Sequence, residues 1–558
     1  MTRIAVLVTL SLWLIACGGG TVQVTGATNS GAPTSVTAPP PPAPVPAPAP
    51  SSPAPQPTSR TDVTTYKNDL SRSGQNLSES VLTLANVSSS SFGLLRTLPV
   101  DGRVDAQPLY LSQLTIGGGT SNVVFVATEH DSVYAFDADS GKVLWHVSLL
   151  PTGETPSDNH GCTQVTPEIG VTATPVIDRS AGAHGTLYVV AMSVDAQSNY
   201  HQRLHALDVT TGAELLNGPT EIAASYPSTG NATSVFDAKS YEERAALLLL
   251  NGTIYTSWAS HCDITPYGGW IISFSQSNLA RNGALNLGPG GSSGPAIWMS
   301  GGGPAADSSG NLYLLSANGP FETTLDANGF PSNRDFGNSF LKISNASAGF
   351  TVLDYFTMSN EVAESNADLD LGSGGEMLLP DLNDSSGTVR HLMVGAGKDG
   401  NIYLVDRNSM GKFSPTANNN YQTLNGALPG GIWSTPAYFN GTVYYGAVSG
   451  SLKAFALSNA KLTGVQSQSV TQFNYPGTAP SVSANGTSNG IVWAHENTSP
   501  AVLHAYDAAN LAHELYNSNQ ASGGRDQFGA GNKFITPMVA DGKVFVGTTN
   551  AVAVFGLR

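Results

Sequence analysis

The stretch VVFVATEHDSVYAFDADSGKVLW, residues Val123 to Trp145, holds two runs of alternating side chains, a tight turn and a third short run ending on an indole. Val124 and Val126, then Val133 and Ala135, set a period of two, the signature of strands with one face buried. Glu129-His130-Asp131-Ser132 separates the runs as a hairpin requires. Asp137 to Gly141 closes a second turn, where Asp can bond its own backbone and Gly can take positive φ. The unit is therefore a meander of short strands, with Trp145 expected to plug against a neighbouring sheet.

Seven later segments echo it. They begin at Gly185 (GTLYVVAM, then LHALDVTTGAEL with Leu216 in the place of Trp145), Gly252, Gly310, Arg390, Gly441, Asn489 and Gly542. A further short strand precedes most hairpins, as in AQPLYL at Ala106, TATPVID at Thr172, STPAYFNG at Ser434 and ITPMVADG at Ile535. Four-stranded units that cannot bury both faces alone predict a β-propeller. The expected fold is all-β: eight four-stranded antiparallel blades. The last unit stops at Val554-Phe555-Gly556 without a fourth strand, while the run from Leu94 to Val100 has no sheet of its own, so the N-terminal strand is expected to close the ring.

Composition agrees. Of 558 residues, 40% are apolar and 11% charged, against a globular average of about 25% charged. The net charge of -16 argues against nucleic acid and anionic membrane surface as partners. Residues 1–17 combine Arg3, an apolar run and Leu14-Ile15-Ala16-Cys17, which resembles a lipoprotein signal with acylation at Cys17. Residues 18–60 are rich in Pro, Ala and Ser and read as an extended tether. This arrangement predicts an envelope protein held by a lipid anchor at the outer membrane, facing the periplasm or the cell surface, with the propeller over 61–558.

The motif Ala135-x-Asp137-x-x-Ser140-Gly141-x-x-x-Trp145 resembles the tryptophan-docking repeat of the pyrroloquinoline quinone (PQQ) propellers. That superfamily includes quinoprotein alcohol dehydrogenases and the propeller lipoprotein of the outer-membrane barrel-assembly machine. The chain is similar above all to bacterial proteins known by their PQQ-like repeats. The resemblance implies a site on the face where second-to-third-strand turns and blade-to-blade links emerge. Lys398, in AGKDGNIYLVDR, is similar to the basic residue that contacts the quinone. Trp298 resembles the stacking floor, and Trp433 is a second candidate for cofactor contact. Asn318 and Asp263 resemble calcium ligands; Asp335, in NRDFGNSFLKI, resembles the catalytic aspartate and a further calcium ligand. Asp368-Leu369-Asp370 resembles the family's Trp-Asp-x-Asp stretch without its Trp. PQQ and calcium are the cofactors this implies, because calcium polarises a quinone carbonyl, a carboxylate removes the alcohol proton and a cation steadies the reduced ring.

The sequence also departs from that pattern. The adjacent-cysteine pair of many such enzymes is absent, and no Cys-x-x-Cys-His is present for a fused haem, so electrons would go to an outside acceptor. Cys162 and Cys262 are expected to form a disulfide, with His160, His261 and Asp263 leaving a zinc or copper site as the alternative. His205 and His504 read as structural histidines. Because the superfamily holds enzymes and scaffolds alike, a PQQ-dependent alcohol or sugar dehydrogenase stands beside a non-catalytic scaffold for an envelope partner, and beside a carbohydrate-binding surface using aromatic loops at Tyr267 and Trp270.

Overall fold

The computed structural model describes residues 61–290, 294–346 and 349–558. The lipidation at Cys17, the signal over 1–17 and the tether over 18–60 lie outside these residues. The described chain is an eight-bladed β-propeller. Blade 1 is Leu109–Ile116, Gly119–Ala127, Ser132–Asp137 and Val143–Ser148, antiparallel throughout. Blade 3 repeats it with Tyr241–Leu250 to Arg281–Asn286, blade 4 with Ala305–Ala306 to Gly349–Thr357, and blade 5 with Met377–Leu378 to Gln422–Leu424. Blade 6 runs from Ala437–Phe439 to Lys461–Phe473, and blade 7 from Ser481–Asn485 to Asn510–Asn517. Blade 2 is centred on Thr186–Asp195 and Tyr200–Asp208, and its outer strand is reduced to a bridge between Leu207 and Glu214 and the pair Thr220–Glu221.

The ring closes as expected. Blade 8 takes its three inner strands from Met538–Ala540, Lys543–Gly547 and Ala551–Leu557, and its outer strand is Phe92–Pro99, paired from Phe92 with Leu557 to Pro99 with Ala551. Each of the eight seams between neighbouring blades has its own apolar cluster. Burial of apolar area at about 25 cal/mol per Å² is thus spread around the ring. Trp145 fills the seam to blade 2, where its indole N–H donates to Val209 O at 2.9 Å. Leu216, aligned with it in the next unit, departs from that role: it is exposed, with φ of 58°, and Leu215 packs inward instead.

A plug crosses the axis on the side away from the turns of the candidate site. Residues 61–79 hydrogen-bond to the innermost strand of every blade. Val63 pairs with Tyr110 of blade 1, and Thr64 O accepts from Ile177 N of blade 2. Arg72 donates to Leu247 O of blade 3, and the carbonyls of Leu70, Ser71, Ser73 and Gly74 accept from Ala306, Leu378, Tyr438 and Val482. Asn76 reaches Val539 O of blade 8. Arg72 is fully buried and also donates to Gly303 O, Pro304 O, Thr65 Oγ1 and Tyr66 O. Lys67, equally buried, donates to the carbonyls of Thr435, Pro436 and Pro480.

Candidate functional site

Opposite the plug, the blade links and second-to-third-strand turns surround a cavity of about 320 Å³ lined by Trp298, Trp433, Lys398, Asn318 and Asp263. That volume lies at the low end of the range of about 300–1,000 Å³ for small-molecule sites. Trp298 stands at the start of the turn Met299–Gly301 between blades 3 and 4, and Trp433 on the link between blades 5 and 6. Both indoles are half-buried, so each keeps exposed ring surface. Gly431 lets Trp433 come close, because a Cβ there would meet its ring at 2.6 Å.

The turn after Leu392–Ala396 brings in Lys398, whose Nζ lies 2.5 Å from Asp370 and 2.9 Å from Asp368. Burial opposes the ammonium charge, but the two carboxylates hold its pKa above the ordinary value. For Asp370 burial wins: its pKa is raised against the pull of Lys398. Asn318 donates from its backbone N–H to Asp370 (2.8 Å) and from its side chain to Asp368 (3.1 Å). Asp263 accepts from Ser260 Oγ and from Tyr267 OH, the latter at 2.9 Å.

Cys162 and Cys262 are joined in a disulfide, their Cα atoms 6.0 Å apart, and both line the cavity. The bond ties the link between blades 1 and 2 to the second-to-third-strand turn of blade 3.

Asp335 is elsewhere. It is buried beside Glu322, accepts a hydrogen bond from Gly290 N at 2.7 Å and is not among the cavity residues. Burial and the Glu322 carboxyl raise its pKa to about 7. The long excursion between Leu312–Leu315 and Ser339–Ala346 folds on itself through bridges Phe321 to Phe336 and Leu325 to Pro331, and this carries Asp335 off the axis. The carboxylates at the cavity are Asp263, Asp368 and Asp370, of which Asp370 is the most buried. Outside the cavity lining, other charged side chains are paired among themselves: His130 with Glu168 (2.9 Å), Glu496 with His504 (2.7 Å), and Arg525 with Asp526 (2.6 Å). Asp399 accepts from Asn401 and Tyr403.

Sequence reasoning missed Arg244. It comes from the innermost strand of blade 3, is 5% exposed, and lies 5.1 Å from the Trp298 ring and 4.8 Å from the Phe534 ring. Its Nε has no partner, and Glu242 is no nearer than 4.0 Å. Burial raises the pKa of Glu242 to about 7 and pushes Asp105 and Glu129 up as well. Arg244 thus brings a guanidinium to the cavity whose Nε makes no hydrogen bond and whose ion-pair partner, Glu242, stands 4.0 Å away. The signal was a charged triplet, Glu242-Glu243-Arg244, set into the apolar strand Tyr241–Leu250.

Flat indoles, a disulfide and two cations suit a planar aromatic anion such as PQQ, which is a tricyclic quinone carrying carboxylates. The oxygen donors do not make a calcium cage. Asp368 and Asp370 are committed to Lys398 and Asn318, and Asp263 to Ser260 and Tyr267. Among the described residues no three acidic, histidine or cysteine side chains converge as metal ligands, where calcium wants six to eight oxygens.

No protein-family model matches the sequence, and no curated protein matches it either. Solved structures do match in fold. Quinohemoprotein alcohol dehydrogenase from Comamonas testosteroni aligns with TM-score 0.59 at 14% identity, covering 89% of this chain and 80% of that one. Quinohemoprotein alcohol dehydrogenase ADHIIG from Pseudomonas putida HK5 gives 0.60 at 14% identity, with the same coverage. A europium-containing methanol dehydrogenase gives 0.55 at 11% identity, covering 89% of this chain and 98% of that one. The chain therefore carries, at low sequence identity, the β-propeller fold of the quinoprotein alcohol dehydrogenases.

Proposed function

We propose that the mouth cavity binds PQQ and that the protein is a quinone-dependent dehydrogenase acting on an alcohol or sugar. The observation that carries this reading is the meeting of Trp298, Trp433, Arg244, Lys398 and Asp370 around one cavity. When bound, the quinone supplies the hydride-accepting chemistry. The indoles offer flat apolar surface to its rings. Arg244 offers a guanidinium whose Nε is free of hydrogen bonds to a carboxylate, and Lys398 a fixed ammonium to a polar edge. Asp370 is the base for the substrate hydroxyl: its burial makes it more basic than a solvated aspartate, while Lys398 favours its ionised form. Calcium takes no part in these steps. Reducing equivalents pass to an external electron acceptor, and the protein works at the cell envelope, held through Cys17.

Calorimetric titration of PQQ into the full chain, with and without calcium, tests the reading, followed by dye-linked turnover on an alcohol panel. Lys398→Ala and Arg244→Ala should each weaken binding about tenfold or more, roughly 1.4 kcal/mol. Asp370→Asn should keep binding and lose about 10²–10⁴ in kcat, the usual worth of a general base. Affinity should not depend on calcium. A folded chain that takes up no PQQ would replace the dehydrogenase reading with that of a scaffold for an envelope partner.

A further inference from the structure

Beside the cavity, the loops that carry the disulfide also carry two imidazoles that the proposed reaction does not use. The rings of His160 and His261 lie 4.1 Å apart between centroids. His261 is fully buried, and neither of its ring nitrogens makes a well-formed hydrogen bond, though the Asn159 backbone bears on the ring; Nε2 of His160 is also buried without a partner. The remaining nitrogen, Nδ1 of His160, is 3.2 Å from Asp158 and 3.4 Å from Tyr200 OH. Buried polar atoms are nearly always hydrogen-bonded, so imidazole nitrogens left without a well-formed hydrogen bond in one place are lone pairs available to a ligand.

Each histidine stands next to one half of the disulfide. Cys262 follows His261 directly, and only Gly161 separates His160 from Cys162. The backbone is left-handed at His160 (φ 47°), Gly161 (77°) and Cys262 (53°), a conformation that costs non-glycine residues of order 1 kcal/mol or more and gathers at functional sites. We propose that His160, Cys162, His261 and Cys262 form a redox-gated site for a borderline-soft cation of the Zn²⁺ class, closed as a disulfide and opened by reduction. In the oxidised chain the sulfurs are bonded to each other, and among the described residues no three ligands converge.

Reduction by a small dithiol breaks the S–S bond, delivers two electrons and two protons to give two thiols, and leaves the reductant as its own disulfide. The cation then displaces the two thiol protons. Two thiolates and two neutral imidazoles form a tetrahedral N₂S₂ set, commonplace for zinc, whose charge a dication neutralises, with Zn–S of about 2.3 Å and Zn–N of about 2.0–2.1 Å. The 6.0 Å between the cysteine Cα atoms leaves room for side-chain rotation to part the sulfurs to that geometry. Hard calcium would ignore such ligands. The site stands whether or not the neighbouring cavity takes a quinone.

Cobalt(II) reports it directly. The full chain is reduced with dithiothreitol, desalted without air and titrated with Co²⁺, while circular dichroism follows the fold. Tetrahedral d–d bands with thiolate charge transfer should saturate at one equivalent, be absent from the untreated protein and vanish on adding Zn²⁺. Cys262→Ser should abolish the bands, and His261→Ala should weaken Co²⁺ binding at least tenfold. Three results would overturn the proposal: a reduced, folded chain without bands, unchanged bands in the His160→Ala/His261→Ala double variant, or a reduced chain that unfolds before it binds.

Discussion

Trp145 and Arg244 are both large side chains in strands, yet only the first announced its place. Trp145 closes a motif with a fixed distance from Asp137 and Gly141, and the same geometry that spaces those residues drops the indole into the seam at Val209. Trp145→Ala should cost about 3–5 kcal/mol, read as a lowered midpoint in urea unfolding with little change in slope. Arg244 follows no turn and no spacing; its position beside Trp298 and Phe534 depends on three separate blades meeting at the axis. Lys398 and Asn318 were legible because each sits two or three residues past the end of a second strand, Leu392–Ala396 or Leu312–Leu315, that the repeat fixes, whereas the Asp368/Asp370 pair, between the helix Glu361–Asn366 and the turn Leu371–Ser373, was legible only through its resemblance to a family motif. Asp335 was misplaced because it lies in a long excursion, where distance along the chain no longer says where the residue goes.

At the scale of strands and blades, the central hairpins were readable throughout, since alternation and turn chemistry coincide in them. The innermost strands of blades 3, 5 and 7 were not singled out. Tyr241–Leu250 ends in an unbroken apolar run, and Met377–Leu378 is only two residues long, so neither shows a period of two. Blade 7 holds the clearest pH-sensitive contact. His504, buried between Glu496 at 2.7 Å and Glu514 at 2.6 Å, has its pKa raised: burial opposes the charge, but hydrogen bonds to the two carboxylates prevail. Neighbouring His495 is held neutral, its pKa lowered by burial to about 3. A raised folded value means that the stabilisation is full below about pH 6.5, the ordinary histidine pKa, and is lost as pH climbs through the folded value. Denaturant midpoints should therefore fall with pH above that point in the native protein, and the fall should be shallower in His504→Gln, which also starts from a less stable chain.

For the molecule as a whole, the plug matters as much as the blades, and nothing in its sequence betrayed it. Thr61 to Glu79 is polar, aperiodic and short of apolar residues, so it reads as a loop; its structure comes from the strands of the eight blades that surround it together with a few internal hydrogen bonds. Arg72→Met would strand five acceptors in the interior. It should destabilise the chain by about 3–5 kcal/mol, the scale for breaking a buried charged network, measurable by chemical denaturation.

The closure of blade 8 by Phe92–Pro99, together with the plug, also sets a timetable. The outer strand Phe92–Pro99 finds its partner only when the last strand, Ala551–Leu557, has been made, and the plug completes its ring of contacts only at Val539 of blade 8. At about 5–20 residues per second, the early segment waits on the order of 25–100 s on a growing chain, next to blades that can already pair among themselves. A segment built from Thr, Asp, Lys, Ser, Arg and Asn can stay solvated through that delay without offering a sticky surface. Its poverty in apolar residues, which hid it from pattern reading, is what lets the plug stay in water until blade 8 arrives, whereas Phe92–Pro99 (FGLLRTLP) has apolar side chains to shelter over the same interval.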